Sequence, residues 1–432
     1  MKKALALLLS CLMLIGVFGG CSAAKPGEST PESTAAEIPH SMQLGYGRVD
    51  ITPTDSVPLG GHHQDTYADR VEDPLYATCM AFTDETGNTV LIFHLDLLQS
   101  YSVANMTRKK ISNETGVDAL QIYMCSTHNH SGPNLESTNG NIETYNKTFP
   151  DKLVEAAKAA MADRKPVTGM YITAAYPENL NFCRHHILDD GSRTGWATPA
   201  VSHAVSHLLK ADNELQLVKL TREGGKDVVI MNWQAHPDAA AGAANAIASD
   251  VDIIRKELEP LLDCHFTYFL GASGNVNSKS YVRSELQSDW YISYYKDRCK
   301  KLAEYAVAAT ENFQQISTDT IRIDTAKQPI NFVGGSGVID VPITSISFGD
   351  LAFCMAPYEM FTEFGQQIKQ ASPFAMTIIS TCSTGSMSYI PASYAFEYSS
   401  YEGDNSKYAP GSAETMAEAH IQQLQRLFDA AK

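Results

Sequence analysis

Residues 126–134 read STHNHSGPN and place His128 and His130 one residue apart, directly after the apolar run LQIYMC. If that run is a buried strand, it ends close to the two histidines, at the sheet edge where α/β proteins commonly place their sites. Side chains two residues apart in an extended segment point to the same side, so both imidazoles would face one cavity. A neutral imidazole is a good ligand for Zn²⁺. A metal site is one interpretation of the pair, but the pair alone is weak evidence for it, because most such pairs are surface or hydrogen-bonded loop histidines.

Three other segments share this pattern, in which an apolar run ends in polar residues. His236 follows VVIMNWQA, Glu359 follows DLAFCMAPY, and Tyr389 and Tyr401 lie in one tyrosine-rich segment. Each also has an ordinary structural explanation. A histidine before proline can end a strand, an acid is stabilised in a first helical turn, and tyrosines in a loop are usually packing residues. Spacing along the chain does not by itself bring these residues together.

Composition narrows the classes of function. The chain has 432 residues, 44% of them hydrophobic, which is ample for a large core. Its net charge is −16, from 33 basic and 49 acidic residues. Nothing in it forms the basic stripe that neutralises phosphates, so no nucleic acid partner is predicted. The acidic balance is more simply a source of solubility.

The N-terminus predicts export. Residues 1–20 carry Lys2 and Lys3 followed by an apolar stretch too short to span a bilayer, and Cys21 follows two glycines. This pattern is typical of a bacterial lipoprotein signal, cleaved so that a lipidated Cys21 anchors the protein to the cell membrane. An ordinary secretory signal is the alternative. Residues 21–41, rich in Ser, Pro, Glu and Ala, are predicted to be a flexible tether.

The cysteines indicate neither a disulfide framework nor a metal site. Seven of the nine lie beyond Cys21, widely scattered and without a C-x-x-C pair. Cys125 and Cys354 lie inside apolar runs, where a free thiol behaves as a small hydrophobic side chain.

The rest of the chain mixes strand and helix patterns. Strands are predicted for four apolar runs, and a hairpin is predicted to turn at Gly349-Asp350. The four runs are residues 89–98, 120–126, 227–235 and 266–271. Helices are predicted at residues 151–163, at 288–313 and in the last twenty residues. Since no linker or internal repeat interrupts residues 42–432, one α/β domain is the economical interpretation.

Eight segments, in order along the chain, resemble the catalytic domain of the neutral/alkaline (non-lysosomal) ceramidase family. The segments are GYGRVDITPTDSVPLGGH, VEDPLYATCMAF, LIFHLDLL, STHNHSGP, NWQAHP, GASGNVN, APYE and YIPASYAFEYSSYEG. STHNHSGP is the most specific, being similar to the family's Thr-His-Thr-His-Ser-Gly-Pro. The resemblance implies an α/β fold of mixed sheets flanked by helices in a layered sandwich, with 42–432 as a ceramidase-like catalytic domain. Full-length members continue into a C-terminal immunoglobulin-like domain, which is not expected in a chain that ends at Lys432.

The resemblance also implies a set of functional residues. Zinc would be held by the side chains of His128, His236, Glu359 and Tyr389. Two imidazoles, a carboxylate and a phenol oxygen suit Zn²⁺, which activates water and polarises a carbonyl. His130 would handle the proton in amide hydrolysis, and Tyr401 would donate its O–H to the developing oxyanion.

Several positions depart from the family pattern. Asn277 stands at the family's serine, and an asparagine can hydrogen-bond a carbonyl but cannot be a nucleophile. Phe182 stands at a family arginine that helps bind substrate, with Arg184 as a nearby substitute. Tyr358 replaces a glycine and is expected to crowd the metal site.

Three further features have weaker signals. Asp96 and Asp238 are candidates to orient metal-bound imidazoles, although surface or capping roles fit them equally. The pairs His62-His63 and His185-His186 match no ligand pattern and are interpreted as loop residues.

The function predicted from the sequence is that of an exported zinc-dependent amidohydrolase acting on the N-acyl bond of ceramide or a related N-acyl lipid. Two alternatives stay open. One is a hydrolase of another amide or ester conjugate, and the other is a catalytically decayed lipoprotein that binds metal or lipid. Retention of both histidines, the acid and both tyrosines favours an enzyme, whereas Asn277 and Phe182 favour a changed substrate or decay.

Overall fold

The computed structural model describes residues 41–61, 66–99, 102–196, 199–237, 245–385 and 387–432. The predicted signal segment at 1–20 and the predicted tether up to residue 40, Cys21 included, lie outside the described residues, as do His62-His63 and Asp238. In the part that is described, no helix combines the length and apolar character needed to cross a bilayer.

The described strands are β1 (Gln43–Asp50), β2 (Arg70–Val71), β3 (Tyr76–Thr83), β4 (Thr89–Leu95), β5 (Ile122–Ser126), β6 (Lys165–Ala175), β7 (Phe182–Cys183), β8 (His186–Leu188), β9 (Arg193–Thr194), β10 (Ala204–His207), β11 (Leu215–Arg222), β12 (Asp227–Trp233), β13 (Ala246–Ile247), β14 (Cys264–Leu270), β15 (Val276–Asn277), β16 (Gln314–Ile316), β17 (Ile321–Asn331), β18 (Val338–Phe348), β19 (Leu351–Met355), β20 (Glu359–Met360), β21 (Met376–Ser380) and β22 (Tyr389–Ile390). The described α-helices are α1 (Ser102–Thr115), α2 (Ile142–Ala162), α3 (Asp250–Leu262), α4 (Arg283–Leu286), α5 (Tyr295–Ala309), α6 (Thr362–Ala371), α7 (Tyr401–Asn405) and α8 (Ser412–Asp429).

The largest sheet consists of two groups of strands joined by a short pairing between β1 and β6. Among the described residues its order is β14-β12-β11-β6-β1-β3-β4-β5, and β16 also pairs with β6. Strands β1 and β6 share only two residue pairs, Gln43 with Pro166 and Leu44 with Lys165. Most neighbours are antiparallel, but β4 runs parallel to β5 and β12 runs parallel to β14.

Strands of this sheet are buried on both faces. In β3, Ala77, Cys79 and Ala81 belong to a core shared with α1 and α2. The intervening Met80 and Phe82 belong to a second core on the opposite face. Because successive strand side chains point to opposite faces, one continuous apolar run supplies both cores.

A second, four-stranded sheet packs on that second face. Its order is β17-β18-β19-β21 in the described chain. Aromatic rings join the two sheets, with centroids 4.3 Å apart for Phe82 and Phe348 and 5.3 Å apart for Phe269 and Phe353. Helices α6 and α8 cover the outer face of the smaller sheet, while α3 and α5 cover the β11-β12-β14 group. The result is four layers of helices, sheet, sheet and helices, which confirms the predicted α/β class with mixed sheets flanked by helices.

Two glycines in β1 allow helix α2 to pack directly on the strand. A Cβ at Gly45 would lie 1.8 Å from the carbonyl oxygen of Ala160, and one at Gly47 would lie 2.1 Å from that of Ala156. Any side chain at these positions would push the helix off the sheet.

The predicted elements correspond to observed ones. Strands β4, β5, β12 and β14 cover the four predicted runs, and β18 and β19 form the predicted hairpin around Gly349, which has φ 66°. Helices α2 and α8 occupy nearly all of the predicted segments at 151–163 and at the C-terminus, whereas α5 occupies only the central part of 288–313. The seven cysteines in the described residues are all buried and free, in agreement with the absence of a predicted disulfide framework.

Candidate metal centre

His128 lies in the turn that follows strand β5. Its backbone has φ 65°, a left-handed conformation that is uncommon for residues other than glycine. The backbone N–H of Thr127 donates to Leu95 O at 2.9 Å, and that of Asn129 donates to Leu97 O at 3.2 Å, so the end of β4 holds the turn. The imidazole Nδ1–H donates to Leu98 O at 2.9 Å. That hydrogen bond leaves Nε2 of His128 as the ring nitrogen that can bind a ligand.

His236 is held by a different loop in the same manner. It follows β12 and its backbone N–H donates to Val276 O at 3.0 Å. Its Nδ1–H donates to Ser273 O at 2.7 Å and to Val276 O at 3.1 Å. Both carbonyls lie in the GASGNVN segment between β14 and β15. As with His128, only Nε2 remains to act as an acceptor or ligand.

Glu359 and Tyr389 are placed side by side by a two-residue parallel pairing. In this β20-β22 pair, Glu359 is opposite Tyr389 and Met360 is opposite Ile390. The N–H of Glu359 donates to Ser388 O at 3.0 Å, and the N–H of Gly274 donates to Met360 O at 2.7 Å. The pairing therefore ties the acid, the tyrosine and the loop that holds His236 to one another.

The four side chains converge. Glu359 Oε2 lies 3.2 Å from His128 Nε2 and 3.1 Å from His236 Nε2. The Tyr389 hydroxyl lies 3.5 Å from the same His236 nitrogen. All four side chains are buried, with residue exposures between 2% and 7%. Residues from the ends of four separate strands thus surround one small volume.

A positive charge would stabilise this cluster, because it contains a buried carboxylate that is ionised. Burial alone would raise the pKa of Glu359, but the adjacent imidazoles outweigh it and hold that pKa well below its usual range. Burial opposes charging of His128, yet the Glu359 carboxylate raises the pKa of that imidazole. Burial, then Arg184, lowers the pKa of His236. An ionised carboxylate therefore lies buried between two imidazoles, where it must be paired.

The donor set fits a divalent metal ion. With both Nδ1 atoms donating to carbonyl oxygens, two neutral imidazoles would present lone pairs to a carboxylate oxygen, which is repulsive unless a cation lies between them. Ligands about 2.0–2.2 Å from a tetrahedral ion lie roughly 3.3 Å from one another. The distances of 3.1, 3.2 and 3.5 Å in this cluster match that spacing. Nitrogen and oxygen donors in this number suit Zn²⁺.

His130 lies beside this cluster and is only partly buried. Its ring centroid is 4.9 Å from that of His128 and 5.8 Å from that of His236. One nitrogen from each of the three histidines can be chosen so that all lie within 4.8 Å, so a histidine trio could also hold a metal ion. Gly61, with φ 75°, packs against His130, because a Cβ there would lie 2.3 Å from its Nδ1.

Arg184 reaches the cluster. The sequence alone did not decide whether it would. Its Nη2 donates to the Tyr389 hydroxyl at 3.1 Å, and its Nη1 donates to Asn277 Oδ1 at 3.3 Å. The ring of Tyr401 lies 5.7 Å from the ring of Tyr389, and the guanidinium carbon lies 5.8 Å from the Tyr401 ring centroid. Asn277, Tyr401 and Arg184 therefore line the side of the cluster next to Tyr389.

Phe182 takes no part in this cluster. Its ring lies 5.4 Å from His207 and 6.2 Å from Trp290, and both pairs are stacked. Arg184 lies two residues further along, and its backbone N–H donates to Asn275 O at 2.9 Å. The short β7-β15 ladder, with Phe182 opposite Asn277, brings this segment against the GASGNVN loop.

One expectation from the sequence is wrong. Tyr358 does not crowd the cluster, because its hydroxyl lies 3.2 Å from His420 Nε2 in the core beneath α8. Neighbouring residues in an extended segment point to opposite sides, so Tyr358 turns away where Glu359 turns in. His185 lies between β7 and β8, as predicted for a loop residue, whereas His186 begins β8; both are almost completely buried.

Asp96, a candidate either to orient an imidazole or to take a surface or capping role, is buried and lies against the turn that carries His128. It accepts hydrogen bonds from Thr127 Oγ1 at 3.0 Å and from Asn129 Nδ2 at 3.1 Å, the residues on either side of His128. It therefore holds the turn in place rather than the ring.

Glu402 is a residue near the cluster that the sequence analysis missed. It is fully buried and pairs with Arg184, which in turn contacts Tyr389. Its position directly after Tyr401 was the only available signal, and a carboxylate there reads equally well as a helix-start acid.

Comparison with known proteins identifies the fold. The sequence matches no protein-family model and no curated protein. A solved ceramidase in complex with C2 superimposes with a TM-score of 0.71 at 12% sequence identity, over 90% of this chain and 76% of that chain. Neutral ceramidase from Pseudomonas aeruginosa gives a TM-score of 0.72 at 13% identity, over 90% of this chain and 75% of that chain. The chain therefore has the fold of the neutral ceramidases.

Proposed function

We propose that the protein is an exported, zinc-dependent amidohydrolase that cleaves the N-acyl amide bond of ceramide or a related N-acyl lipid. The observation that carries the proposal is the approach of His128 Nε2 and His236 Nε2 to one oxygen of Glu359, at 3.2 and 3.1 Å. The ceramidase fold supports the choice of an amide as the bond that is cleaved. A hydrolase of another amide or ester conjugate is the neighbouring function.

The ion would be held by His128, His236, Glu359 and Tyr389. Zn²⁺ bound by such ligands supplies Lewis acidity, which polarises a carbonyl and brings the pKa of a water to about 7. The backbone carbonyls of Leu98 and Ser273 orient the two imidazoles, since each accepts from an Nδ1–H.

His130 would move the proton. It lies beside the ligands, is partly buried and so has access to both the cluster and the substrate side. It would take the proton from the attacking water and return it to the nitrogen of the leaving amine, so that the amide C–N bond breaks without releasing an amide anion. Gly61 supports this role, because any larger residue at that position would displace the His130 ring.

Tyr401 and Asn277 would act on the substrate carbonyl. The Tyr401 ring lies 5.7 Å from that of Tyr389, and its hydroxyl would donate to the oxyanion that forms when water attacks. Asn277 lies where its amide could hold the carbonyl in place, and it cannot form a covalent acyl intermediate. The chemistry proposed is therefore direct attack by water.

The test is hydrolysis of a panel of N-acyl substrates by the purified full chain. The panel contains ceramide, an N-acyl amino acid, an N-acyl ethanolamine and a simple carboxyl ester, each assayed with and without a chelator. The proposal predicts release of fatty acid from at least one N-acyl lipid, abolished by the chelator and restored by Zn²⁺. Bound zinc without turnover of any substrate would indicate a metal-binding protein instead.

The proposed cellular address rests on the N-terminal sequence alone. Attachment through a lipidated Cys21 would place the catalytic domain at the surface of a bacterial membrane, where N-acyl lipids are found. Metabolic labelling with palmitate should mark the wild-type protein and not the Cys21→Ser variant. Labelling of neither protein, with both secreted, would instead favour an ordinary secretory signal.

A further inference from the structure

A second buried charge cluster lies directly behind Tyr389. Arg184, with a side chain only 14% exposed, donates from Nε to Glu402 Oε1 at 2.5 Å and from Nη2 to Gly274 O at 2.8 Å. The same guanidinium donates to the Tyr389 hydroxyl and to Asn277 Oδ1. One side chain thus connects a residue proposed to hold the ion with one proposed to hold the substrate.

Glu402 fixes the other end of that guanidinium. Its side chain is 0% exposed, and its Oε2 accepts from His185 Nε2 at 2.8 Å. His185 Nδ1 in turn lies 2.6 Å from the Tyr398 hydroxyl. Burial alone would raise the pKa of Glu402, but Arg184 and then His185 lower it to about 2, so the carboxylate is ionised at neutral pH.

Hydrogen bonds at the start of α7 restrict the position of the Glu402 carboxylate. Ser400 caps α7, accepting from Gly403 N at 3.0 Å, and the carbonyl of Gly195 accepts from Tyr401 N at 3.3 Å. Gly195 also packs closely on His185, because a Cβ there would lie 3.1 Å from the imidazole. The Glu402 carboxylate is therefore held in place and can fix the orientation of the Arg184 guanidinium.

We propose that Glu402 is a positioning residue for the metal centre, acting through Arg184. The inference rests on the proposed function, since it assigns a role toward the proposed ion. Glu402 fixes the direction in which the guanidinium donates, so that Tyr389 and Asn277 are held together. It also cancels the guanidinium charge, which lies 3.1 Å from the Tyr389 oxygen and would otherwise repel a cation. A cationic guanidinium is thereby tolerated next to a cation site.

The proposal is tested by metal affinity in the full chain. Zn²⁺ and Co²⁺ are titrated in competition with a chelator into the wild type and Glu402→Gln, which keeps the shape of the side chain and removes its charge. The expected result is affinity for both ions lowered by roughly 10- to 100-fold, as is typical when a partner of a metal ligand is changed. The visible absorption of bound Co²⁺ should also change, because Tyr389 is no longer held in one orientation.

A matched control separates this effect from a general loss of stability. Glu363 also accepts two hydrogen bonds close to the GASGNVN loop, from Tyr394 at 2.7 Å and from Asn275 at 3.0 Å, and it makes no hydrogen bond to Arg184. Glu363→Gln should leave the affinity for both ions within about twofold of the wild type.

The double variant Arg184→Met/Glu402→Gln tests the role of charge. It removes the uncompensated guanidinium that Glu402→Gln leaves behind, so it should bind Zn²⁺ more tightly than Glu402→Gln alone. If Glu402→Gln does not fold, the double variant is compared with Arg184→Met; because Glu402 acts through Arg184, these two variants should bind Zn²⁺ with affinities within about twofold of each other. Equal affinity of the double variant and Glu402→Gln overturns the proposal, as does wild-type affinity in Glu402→Gln or a clear difference in affinity between Arg184→Met and the double variant. Failure of the wild type to bind Zn²⁺ overturns the proposed function instead.

Discussion

The carboxylates of Glu402 and Glu359 are both buried, and each lies next to two nitrogen-bearing side chains. They differ in how their negative charge is compensated. Glu402 faces two donors, Arg184 Nε and His185 Nε2, at 2.5 and 2.8 Å. Glu359 faces two imidazole Nε2 atoms whose Nδ1 atoms already donate to backbone carbonyls. The first carboxylate has its counter-charge in the protein, whereas the second lacks one as long as both imidazoles are neutral.

The difference teaches how a metal site can be told apart from an ion-pair network built from similar residues. Counting residue types does not separate the two clusters, since each contains histidine and glutamate. The two clusters differ in what the second nitrogen of each imidazole contacts. In the Glu359 cluster, each Nδ1–H donates to a backbone carbonyl, so a neutral imidazole presents the lone pair of Nε2 to the carboxylate. In the Glu402 cluster, Nε2 of His185 faces the carboxylate as a donor, and Nδ1 faces a tyrosine hydroxyl.

The largest effect is expected from His236→Ala, which removes a proposed ligand from the Glu359 cluster. Bound zinc should fall from one per chain to near zero, and hydrolysis of N-acyl substrate should become undetectable. Zinc is measured by elemental analysis after gel filtration. His203→Ala is the control, because His203 is an exposed partner of Asp189. Full zinc content in His236→Ala would remove this residue from the ligand set.

The next effect distinguishes a ligand from a proton carrier within the same motif. His130→Ala should lower kcat by about 10²–10⁴-fold while zinc content stays at one per chain, because loss of a general acid–base costs that much without disturbing the ligands. Steady-state kinetics and elemental analysis on the same preparation provide the check. Parallel loss of zinc and activity would show instead that His130 is a ligand, as the histidine trio allows.

A smaller effect is expected at Tyr401. Removing one donor to an oxyanion typically costs about 10²–10³-fold in kcat, so Tyr401→Phe should lose that much with little change in KM. Tyr294→Phe, at a half-exposed position, is the matched control and should keep wild-type kinetics. A rise in KM at unchanged kcat would mean that Tyr401 binds substrate but does not act in the transition state.

The smallest effect is on stability and comes from the cluster that carries its own counter-charge. The pKa of Glu402 is lowered to about 2 in the folded protein, against about 4.3 for an unfolded glutamate. Its stabilisation is therefore complete above pH ~4.3 and is lost as the pH falls through the folded value, an effect on the order of 3 kcal/mol.

Urea unfolding of the metal-free chain from pH 7 to pH 2.5 measures this effect. The difference in unfolding free energy between wild type and Glu402→Gln should shrink as the pH falls below ~4.3, because the unfolded wild type then binds a proton at Glu402 that the folded protein does not. Glu363→Gln is the control for the substitution. A difference that stays constant over the whole range would contradict the low pKa assigned to Glu402.

Much of the fold was predictable because local patterns coincide with the tertiary structure. Runs such as LIFHL and VVIMNW are mostly apolar because they are buried between two layers, and they are strands in the structure. The positions of His128, His236 and Glu359 just after strands also followed from such runs.

The rest depends on contacts that spacing along the chain does not encode. Arg184 and Glu402 are 218 residues apart and meet because the β7-β15 ladder and α7 bring their loops together. The orientation of each imidazole depends on carbonyls of Leu98 and Ser273, and any residue type can supply a backbone carbonyl. Tyr358 was misjudged for the same reason, since its direction depends on pleat and not on size.

The most direct test of the central claim is X-ray absorption spectroscopy of the zinc-loaded full chain. The account predicts one zinc per chain, with two imidazole nitrogens and oxygen ligands at about 2.0–2.2 Å. A shell with three imidazoles, or a chain that retains no zinc, would contradict the assignment of His128, His236, Glu359 and Tyr389 as the residues that hold the ion.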